Sequence, residues 1–137
     1  MPGLVESTKV LLVDDDPVFL ARACQALEPV TRVRTIQTGS DALSTLAVWT
    51  PDVVVFDLLM HDMDGFTFME QIASISSGRR PFILYTIDGR GADTRVRPLP
   101  DWHVGTLLRS APMHQLRSAV IQAAQCSDSD YQRLIIA

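Results

Sequence analysis

Acidic residues follow two short apolar runs of the sequence and could act together. Asp14, Asp15 and Asp16 come directly after the first run, and Asp57 comes directly after the third. Carboxylates that lie close together repel one another unless protons or a cation intervene, and their hard oxygen atoms select a hard cation. Mg²⁺ suits such a cluster best, because it keeps several waters and needs only one or two carboxylates from the protein. The sequence therefore predicts a magnesium site at Asp14, Asp15 and Asp57.

Two further polar residues stand at the same kind of position. Thr86 ends the fourth apolar run, and Arg109 ends the fifth. Phosphoryl transfer requires a positioned nucleophile, a metal that bridges oxygens, and a cation or hydroxyl that meets the charge developing on the equatorial oxygens. In such a site Asp57 is the nucleophile, and Asp14 and Asp15 hold the metal. Thr86 and Arg109 contact the phosphoryl oxygens.

The elements that must position these residues can be predicted from the hydrophobic pattern. Five short apolar runs alternate with amphipathic segments, which is typical of a parallel sheet covered by helices on both faces. Ligands of such sheets bind beyond the carboxyl ends of the strands, where the polar residues would meet. Because the runs are almost continuously apolar, we expect burial of each strand on both faces. The predicted strands are Val10–Val13, Val33–Ile36, Val53–Phe56, Phe82–Tyr85 and Val104–Leu108.

Helix boundaries are predicted from capping residues and helical spacing. Asp16 as N-cap and Pro17 at the first helical position begin the first helix. Thr38 begins the second, with an acidic residue in capping-box spacing. A third helix runs from about Phe66 to Ser76, and a last one begins near Pro112. The side chains expected to be buried on these helices are Leu20, Ala23, Cys24 and Leu27; Leu43, Leu46 and Ala47; Met69, Ile72 and Ile75; and Leu116, Ala119, Val120 and Ala123.

Two segments lack a clear periodic pattern. Asp88–Asp101, where a further helix belongs, contains two glycines and two prolines, so we expect a short helix or an irregular loop. Ser127–Ala137 starts polar and ends apolar. This tail would either dock on the domain or begin a connection to another segment.

The composition limits the class of protein. A chain of 137 residues with 47% hydrophobic content can bury one sizeable core and is short for two domains. The net charge of -4 and the pI near 5.2 argue against direct contact with nucleic acid. No apolar run reaches the roughly 18 residues of a membrane span, so we expect a cytoplasmic protein. Cys24 and Cys126 stand at apolar helical positions, which favours buried side chains over a disulfide or metal site.

The sequence resembles the receiver domain of bacterial response regulators in three segments: VLLVDDDP at Val10–Pro17, VVVFDLLMHDMDGF at Val53–Phe66 and LYT at Leu84–Thr86. The resemblance covers about residues 8–126, and the joint spacing of the three motifs is specific. It implies a flavodoxin-like α/β fold, a doubly wound five-stranded parallel sheet of order 2-1-3-4-5. A receiver domain at 1–126 would be followed by a tail or linker at 127–137.

The resemblance also implies a role for each site residue. Asp57 would accept a phosphoryl group from the phosphohistidine of a histidine kinase or a phosphotransfer protein. Asp14, Asp15 and the backbone carbonyl of Leu59 would hold Mg²⁺ together with Asp57. The hydroxyl of Thr86 would move toward the acyl phosphate. Such a chain is not a conventional enzyme, but it catalyses its own phosphoryl transfer and dephosphorylation, and an output domain or partner protein responds.

Several residues depart from the family's pattern on the side that reports phosphorylation. Arg109 replaces the lysine that ends the fifth strand, and its planar fork is longer and less adaptable. Ser110 replaces the proline that follows the lysine, and Thr106 stands where a switch aromatic is expected. Ile87 replaces a small residue after the threonine, and His61 replaces a common proline. We therefore expect an intact acceptor half and an altered output half.

Other interpretations stay open. A pseudo-receiver would bind partners without phosphorylation, and acyl-phosphate labelling of Asp57 separates the two classes. An aspartyl-nucleophile phosphatase also uses aspartates on an α/β sheet, but its nucleophile would follow the first strand in an Asp-x-Asp motif. The sequence leaves open whether the domain forms a homodimer. Single residues also have simpler interpretations: Asp16 as a helix cap, Asp64–Gly65 as a turn, Arg109 as a salt-bridge partner, and His61, His103 and His114 as solvent-facing side chains.

Overall fold

The computed structural model describes residues 8–75, 81–88 and 104–125. Most of the segment between Asp88 and Asp101, the tail at 127–137, Cys126 and His103 lie outside these residues. The strands are β1 (Lys9–Val13), β2 (Arg32–Ile36), β3 (Val53–Asp57), β4 (Phe82–Ile87) and β5 (Val104–Leu108). The helices are α1 (Pro17–Leu27), α2 (Gly39–Leu46), α3 (Gly65–Ile75) and α4 (Met113–Ala124).

The five strands form one parallel sheet of order β2-β1-β3-β4-β5. This confirms the predicted flavodoxin-like, doubly wound α/β fold. β1 lies inside the sheet, with β2 paired on one side of it and β3 on the other. Strand order therefore reverses between β1 and β3, and a crevice opens beyond their carboxyl ends.

Two core clusters lie on opposite faces of the sheet because successive side chains of a strand point to opposite sides. Leu12 and Val55 belong to the cluster packed against α1 and α4, and Leu11 and Val54 belong to the other, packed against α2 and α3. The central strands β1, β3 and β4 are almost entirely buried. Their near-continuous apolarity is explained by this double coverage.

The edge strands are less buried than predicted. β2 exposes Arg32, Arg34 and Thr35, and Leu108 on β5 is 38% exposed. Each edge strand has a neighbour on one side only, and the helices mainly cover the centre of the sheet. The prediction that every strand is buried on both faces was therefore wrong for β2 and β5. The arginines of β2 are the kind of side chain that protects an exposed edge from pairing with another chain.

The predicted helix starts agree with the capping contacts. The amide of Val18 donates to Asp16 Oδ1 at 2.9 Å, and the amide of Asp41 donates to Thr38 Oγ1 at 3.0 Å. The third helix begins at Gly65, one residue before the predicted start.

The predicted buried positions were correct for most of the helical residues. All four on α4 are buried, whereas Cys24, Leu43 and Leu46 are only half-buried. Ala47 and Ile75 are exposed and were predicted wrongly. Both stand at the carboxyl ends of their helices, after the last side chain that packs on the sheet.

Candidate functional site

The carboxyl ends of β1 and β3 bring three aspartates together. One carboxylate oxygen each from Asp14, Asp15 and Asp57 lies within 4.8 Å of the other two. Parallel pairing of Val13 with Phe56 explains this convergence, because Asp14 and Asp57 directly follow these paired residues and therefore lie side by side at the strand ends. Three carboxylates at this spacing form an all-oxygen donor set of the kind that suits Mg²⁺.

Backbone amides orient two of these carboxylates. The amide of Asp16 donates to Asp14 Oδ1 at 2.9 Å, and the amide of Leu59 donates to Asp57 Oδ1 at 3.2 Å. Asp14 is 1% exposed, whereas Asp57 is half-buried beside the cleft. Asp14 is therefore buried and held in place, and Asp57 is accessible from solvent.

The pKa of Asp57 is raised. Partial burial is the main cause, and the negative charges of Asp14 and Asp15 add to it. The positive charge of Arg109 and the hydrogen bond from the Leu59 amide lower the pKa without offsetting these effects. A cation held by the three aspartates would favour ionised Asp57, the form that can act as a nucleophile.

Arg109 inserts its guanidinium among the carboxylates. Its Nη1 donates to Asp14 Oδ2 and lies 3.5 Å from Asp57 Oδ2, and its Nη2 lies 3.6 Å from Asp16 Oδ2. The guanidinium carbon lies 4.4 Å from the centroid of the Phe19 ring, in a cation–π contact. Burial disfavours the charged form, but the hydrogen bond and charge of Asp14 outweigh it and raise the pKa of Arg109. Arg109 therefore remains a permanent cation beside Asp57.

Thr86 lies next to Asp57 because the two residues are partners in the β3–β4 register. The Thr86 side chain is buried, and its Oγ1 has no hydrogen-bond partner among the described residues. A buried hydroxyl without a partner is unfavourable, which makes it a candidate contact for a ligand oxygen. The cleft beside it has a volume of about 220 Å³ and is lined by Asp57, Leu58, Leu59, Thr86, Ile87, Asp88 and Arg109.

The β3–α3 loop, residues 58–64, borders the cleft. Its ends are joined by an antiparallel bridge between Leu59 and Asp64. At its tip the His61 amide donates to Asp15 Oδ2 at 3.1 Å, and the imidazole pairs with the same oxygen while staying 94% exposed. The prediction that His61 faces solvent is thus correct for exposure but missed its contact with Asp15.

Aromatic side chains support the site from the face of the sheet that α2 and α3 cover. The rings of Phe56 and Phe68 stack at 4.0 Å between centroids, and Phe56 meets Tyr85 edge-on at 6.1 Å. The Tyr85 hydroxyl donates to the carbonyl of Gly65 at 2.8 Å, and a Cβ on Gly65 would clash with Leu58 and approach the Tyr85 ring. Because Phe56 and Tyr85 directly precede Asp57 and Thr86, this packing fixes both strand ends.

The structure thus brings together the side chains of Asp14, Asp15, Asp57, Thr86 and Arg109, and places Leu59 at the cleft wall. Three contacts at or near this group were not predicted from the sequence. Asp16 caps α1 as predicted but also faces Arg109, the Phe19 ring lies against the Arg109 guanidinium, and Asp62 contacts α2. An aromatic residue in the first turn after an acidic run was the available signal for Phe19.

A family model for the response regulator receiver domain matches residues 10–121. The chain belongs to this family. Among curated proteins, the receiver domain is 32% identical over 130 residues to protein-glutamate methylesterase/protein-glutamine glutaminase 2 of Pseudomonas syringae pv. tomato, covering 90% of this chain and 34% of that protein. It is 35% identical over 66 residues to enzyme 3 of the same name from Vibrio cholerae, covering 47% of this chain and 18% of that protein. The chain spans about a third or less of the length of these relatives.

Solved structures share the fold. The signal receiver domain of an HD domain-containing protein from Pseudomonas fluorescens Pf-5 has a TM-score of 0.75 at 22% identity, with 93% of each chain covered. The chemotaxis response regulator CheY4 of Vibrio cholerae has a TM-score of 0.65 at 20% identity, with 85% of this receiver domain and 98% of that chain covered. Among the described residues, no helix has the length and apolarity to cross a membrane.

Proposed function

We propose that this receiver domain accepts a phosphoryl group on Asp57 in a reaction that depends on Mg²⁺. The observation that carries the proposal is the cleft in which Asp57 faces the guanidinium of Arg109 and the hydroxyl of Thr86, which has no hydrogen-bond partner within the described part of the chain. An acceptor needs a nucleophile, a positive charge and a donor for the phosphoryl oxygens, and these three groups supply them.

Asp57 attacks the phosphorus of a phosphohistidine through a carboxylate oxygen. The new bond joins that oxygen to phosphorus, and the bond between phosphorus and the donor imidazole breaks, with its electron pair leaving on the imidazole. Asp14, Asp15, Asp57 and the Leu59 carbonyl would hold Mg²⁺, which would supply positive charge against the negative charge of the carboxylates and the phosphoryl group. Arg109 and Thr86 then contact the oxygens of the acyl phosphate.

The donor in this proposal is a histidine kinase or a phosphotransfer protein, because the phosphoryl group of a phosphohistidine has a transfer potential high enough to form an acyl phosphate. A linked output domain or a separate partner protein responds to the acyl phosphate. We infer a cytoplasmic protein that makes no direct contact with nucleic acid, in keeping with its acidic net charge of -4.

Magnesium binding gives the first test. Calorimetry should detect weak Mg²⁺ binding to the unphosphorylated protein, weaker binding to Asp57→Asn, and none to a double variant with Asp14→Asn and Asp15→Asn. Asp41→Asn is the matched control, because Asp41 is an exposed aspartate on α2 outside the cluster. Binding to the double variant as tight as to the wild type would contradict the proposed metal site.

A phosphorylation-independent interaction module is the second candidate function. The observation that favours it is the pair of charge contacts that Arg109 makes with Asp14 and Asp57, because these contacts partly neutralise the acidic cluster without a metal. Incubation with a labelled phospho-histidine kinase distinguishes the two candidates. An alkali-labile label that is lost in Asp57→Asn supports the acceptor function, and no label in the wild type supports the interaction module.

A further inference from the structure

One side chain ties the β3–α3 loop to the first turn of α2. The amides of Gly39 and Ser40 donate to Asp62 Oδ1 and Oδ2 at 2.9 and 3.0 Å. These amides open the helix and have no partner within it, and the carboxylate also meets the positive end of the helix dipole. Thr38 accepts the next amide, that of Asp41, from within the same turn. The start of α2 is therefore capped twice, once locally and once by the loop.

The Asp62 carboxylate is held in its charged form. Its slight burial acts to raise the pKa, but the hydrogen bonds from the Gly39 and Ser40 amides outweigh this and lower the pKa of Asp62. The two-amide contact is consequently intact at neutral pH.

An apolar contact reinforces the connection between the loop and α2. Met63 packs at the position where Gly39 has no side chain, so that a Cβ on Gly39 would clash with Met63 Cγ and lie 2.8 Å from Met63 Sδ. Met63 is itself half-buried against the core cluster beneath α2 and α3. The loop therefore meets α2 through adjacent polar and apolar contacts that leave little freedom for a shift.

The same loop supplies amides to the candidate site. The Leu59 amide contacts Asp57, and the His61 amide, one residue before Asp62, contacts Asp15. We propose that Asp62 is a positioning residue of the phosphoacceptor site, because its hydrogen bonds to α2 hold the loop so that these two amides point at the carboxylates. This inference rests on the proposed function, since it assigns a support for the same site.

Two alanine variants separate positioning from helix stability. Asp62→Ala and Thr38→Ala each remove capping hydrogen bonds from the first turn of α2, but only Asp62 belongs to the loop. Loss of a group that orients metal ligands typically weakens metal affinity by about tenfold or more. We expect a Mg²⁺ Kd about tenfold weaker in Asp62→Ala. In Thr38→Ala the Kd should be unchanged, and Asp62→Asn, which keeps one acceptor oxygen, should lie between the wild type and Asp62→Ala.

Amide hydrogen exchange provides a second readout that does not depend on the metal. In metal-free protein, the Leu59 and His61 amides should exchange faster in Asp62→Ala than in Thr38→Ala, because their carboxylate acceptors are then less well aligned. Equal exchange of these two amides in both variants overturns the positioning role, whatever the result for Mg²⁺. A wild type that binds no Mg²⁺ would instead count against the proposed function, and the exchange comparison would still decide the role of Asp62.

Discussion

At the scale of single residues, Thr86 has a polar group whose hydrogen-bonding capacity is unused in the described part of the chain. Its hydroxyl is buried in a strand end and lacks a partner among the described residues. Leaving such a group unpaired costs about 1–3 kcal/mol, which a phosphoryl oxygen in the cleft would recover. Under the proposed function, the partner of this hydroxyl is an oxygen of the acyl phosphate on Asp57.

Replacement of Thr86 by valine tests this interpretation. Thr86→Val removes the hydroxyl and nearly keeps the shape, so the free energy of unfolding should stay the same or rise by about 1 kcal/mol. The NMR shifts that an acyl-phosphate mimic causes along β4 should shrink at the same time. Thr86→Ser, which keeps the hydroxyl, serves as the control. A large loss of stability in urea denaturation of Thr86→Val would mean that the hydroxyl has a structural partner.

Asp57 should make stability depend on pH in a defined direction. Its pKa is higher in the folded protein than in the unfolded chain, so the protonated form of Asp57 stabilises the fold. This contribution to stability is complete below the unfolded pKa and is lost as pH rises through the folded pKa. Ionised Asp57 therefore destabilises the metal-free fold at neutral pH. Asp57→Asn should raise the Tm there, and the gain should shrink as pH falls through the carboxylate range. Thermal unfolding followed by circular dichroism measures this, and a lower Tm for Asp57→Asn at neutral pH would be the opposite result.

At the scale of the elements, β5 offers little to transmit a change at Asp57. Thr106 pairs in register with Tyr85, which is fully buried and bonded to the carbonyl of Gly65. The Tyr85 ring is therefore already buried and fixed in place, and β5 carries no aromatic residue in its described range. A ligand shifts an equilibrium only through contacts that differ between the two states.

Weak coupling between Asp57 and the β5–α4 face is the expected consequence. Phosphorylation should change partner affinity by less than the ~1–3 kcal/mol usual for linked sites. Arg109 joins the end of β5 to the acidic cluster, so Arg109→Lys should alter coupling more than it alters labelling. NMR shifts over Val104–Ala124, with and without an acyl-phosphate mimic, measure the response. Large changes that spread along α4 in the wild type would be incompatible with weak coupling.

The sequence predicted helix caps and the meeting of strand ends better than the exposure of an edge strand or a contact between a loop and a helix. The cap at Asp16 and the convergence of Asp14 with Asp57 follow from local spacing and from the rule for carboxyl ends of parallel strands. Exposure of Arg34 depends on β2 being an edge. The hydrogen bond from the Gly39 amide to Asp62 joins residues that are 23 positions apart in the sequence, and no periodic pattern indicates such a contact.

At the scale of the whole molecule, the residues of the site and the residues that stabilise the fold lie in different parts of the sheet. The charged and polar groups of the site lie beyond the carboxyl ends of β1, β3, β4 and β5, while two apolar clusters fill both faces beneath them. Such packing holds the strand ends in place and lets loops carry the reactive groups. The same separation explains why departures such as Arg109 are compatible with an unchanged fold.

Phosphorylation of Asp57 is the central claim, and intact mass spectrometry tests it most directly. Wild type and Asp57→Asn are each incubated with a small acyl phosphodonor, with and without Mg²⁺. If Asp57 is the acceptor, the wild type should gain the mass of one phosphoryl group only with Mg²⁺, alkali should remove it, and Asp57→Asn should gain nothing. An equal gain in Asp57→Asn, or no gain in a folded wild type that binds Mg²⁺, would contradict the acceptor role of Asp57.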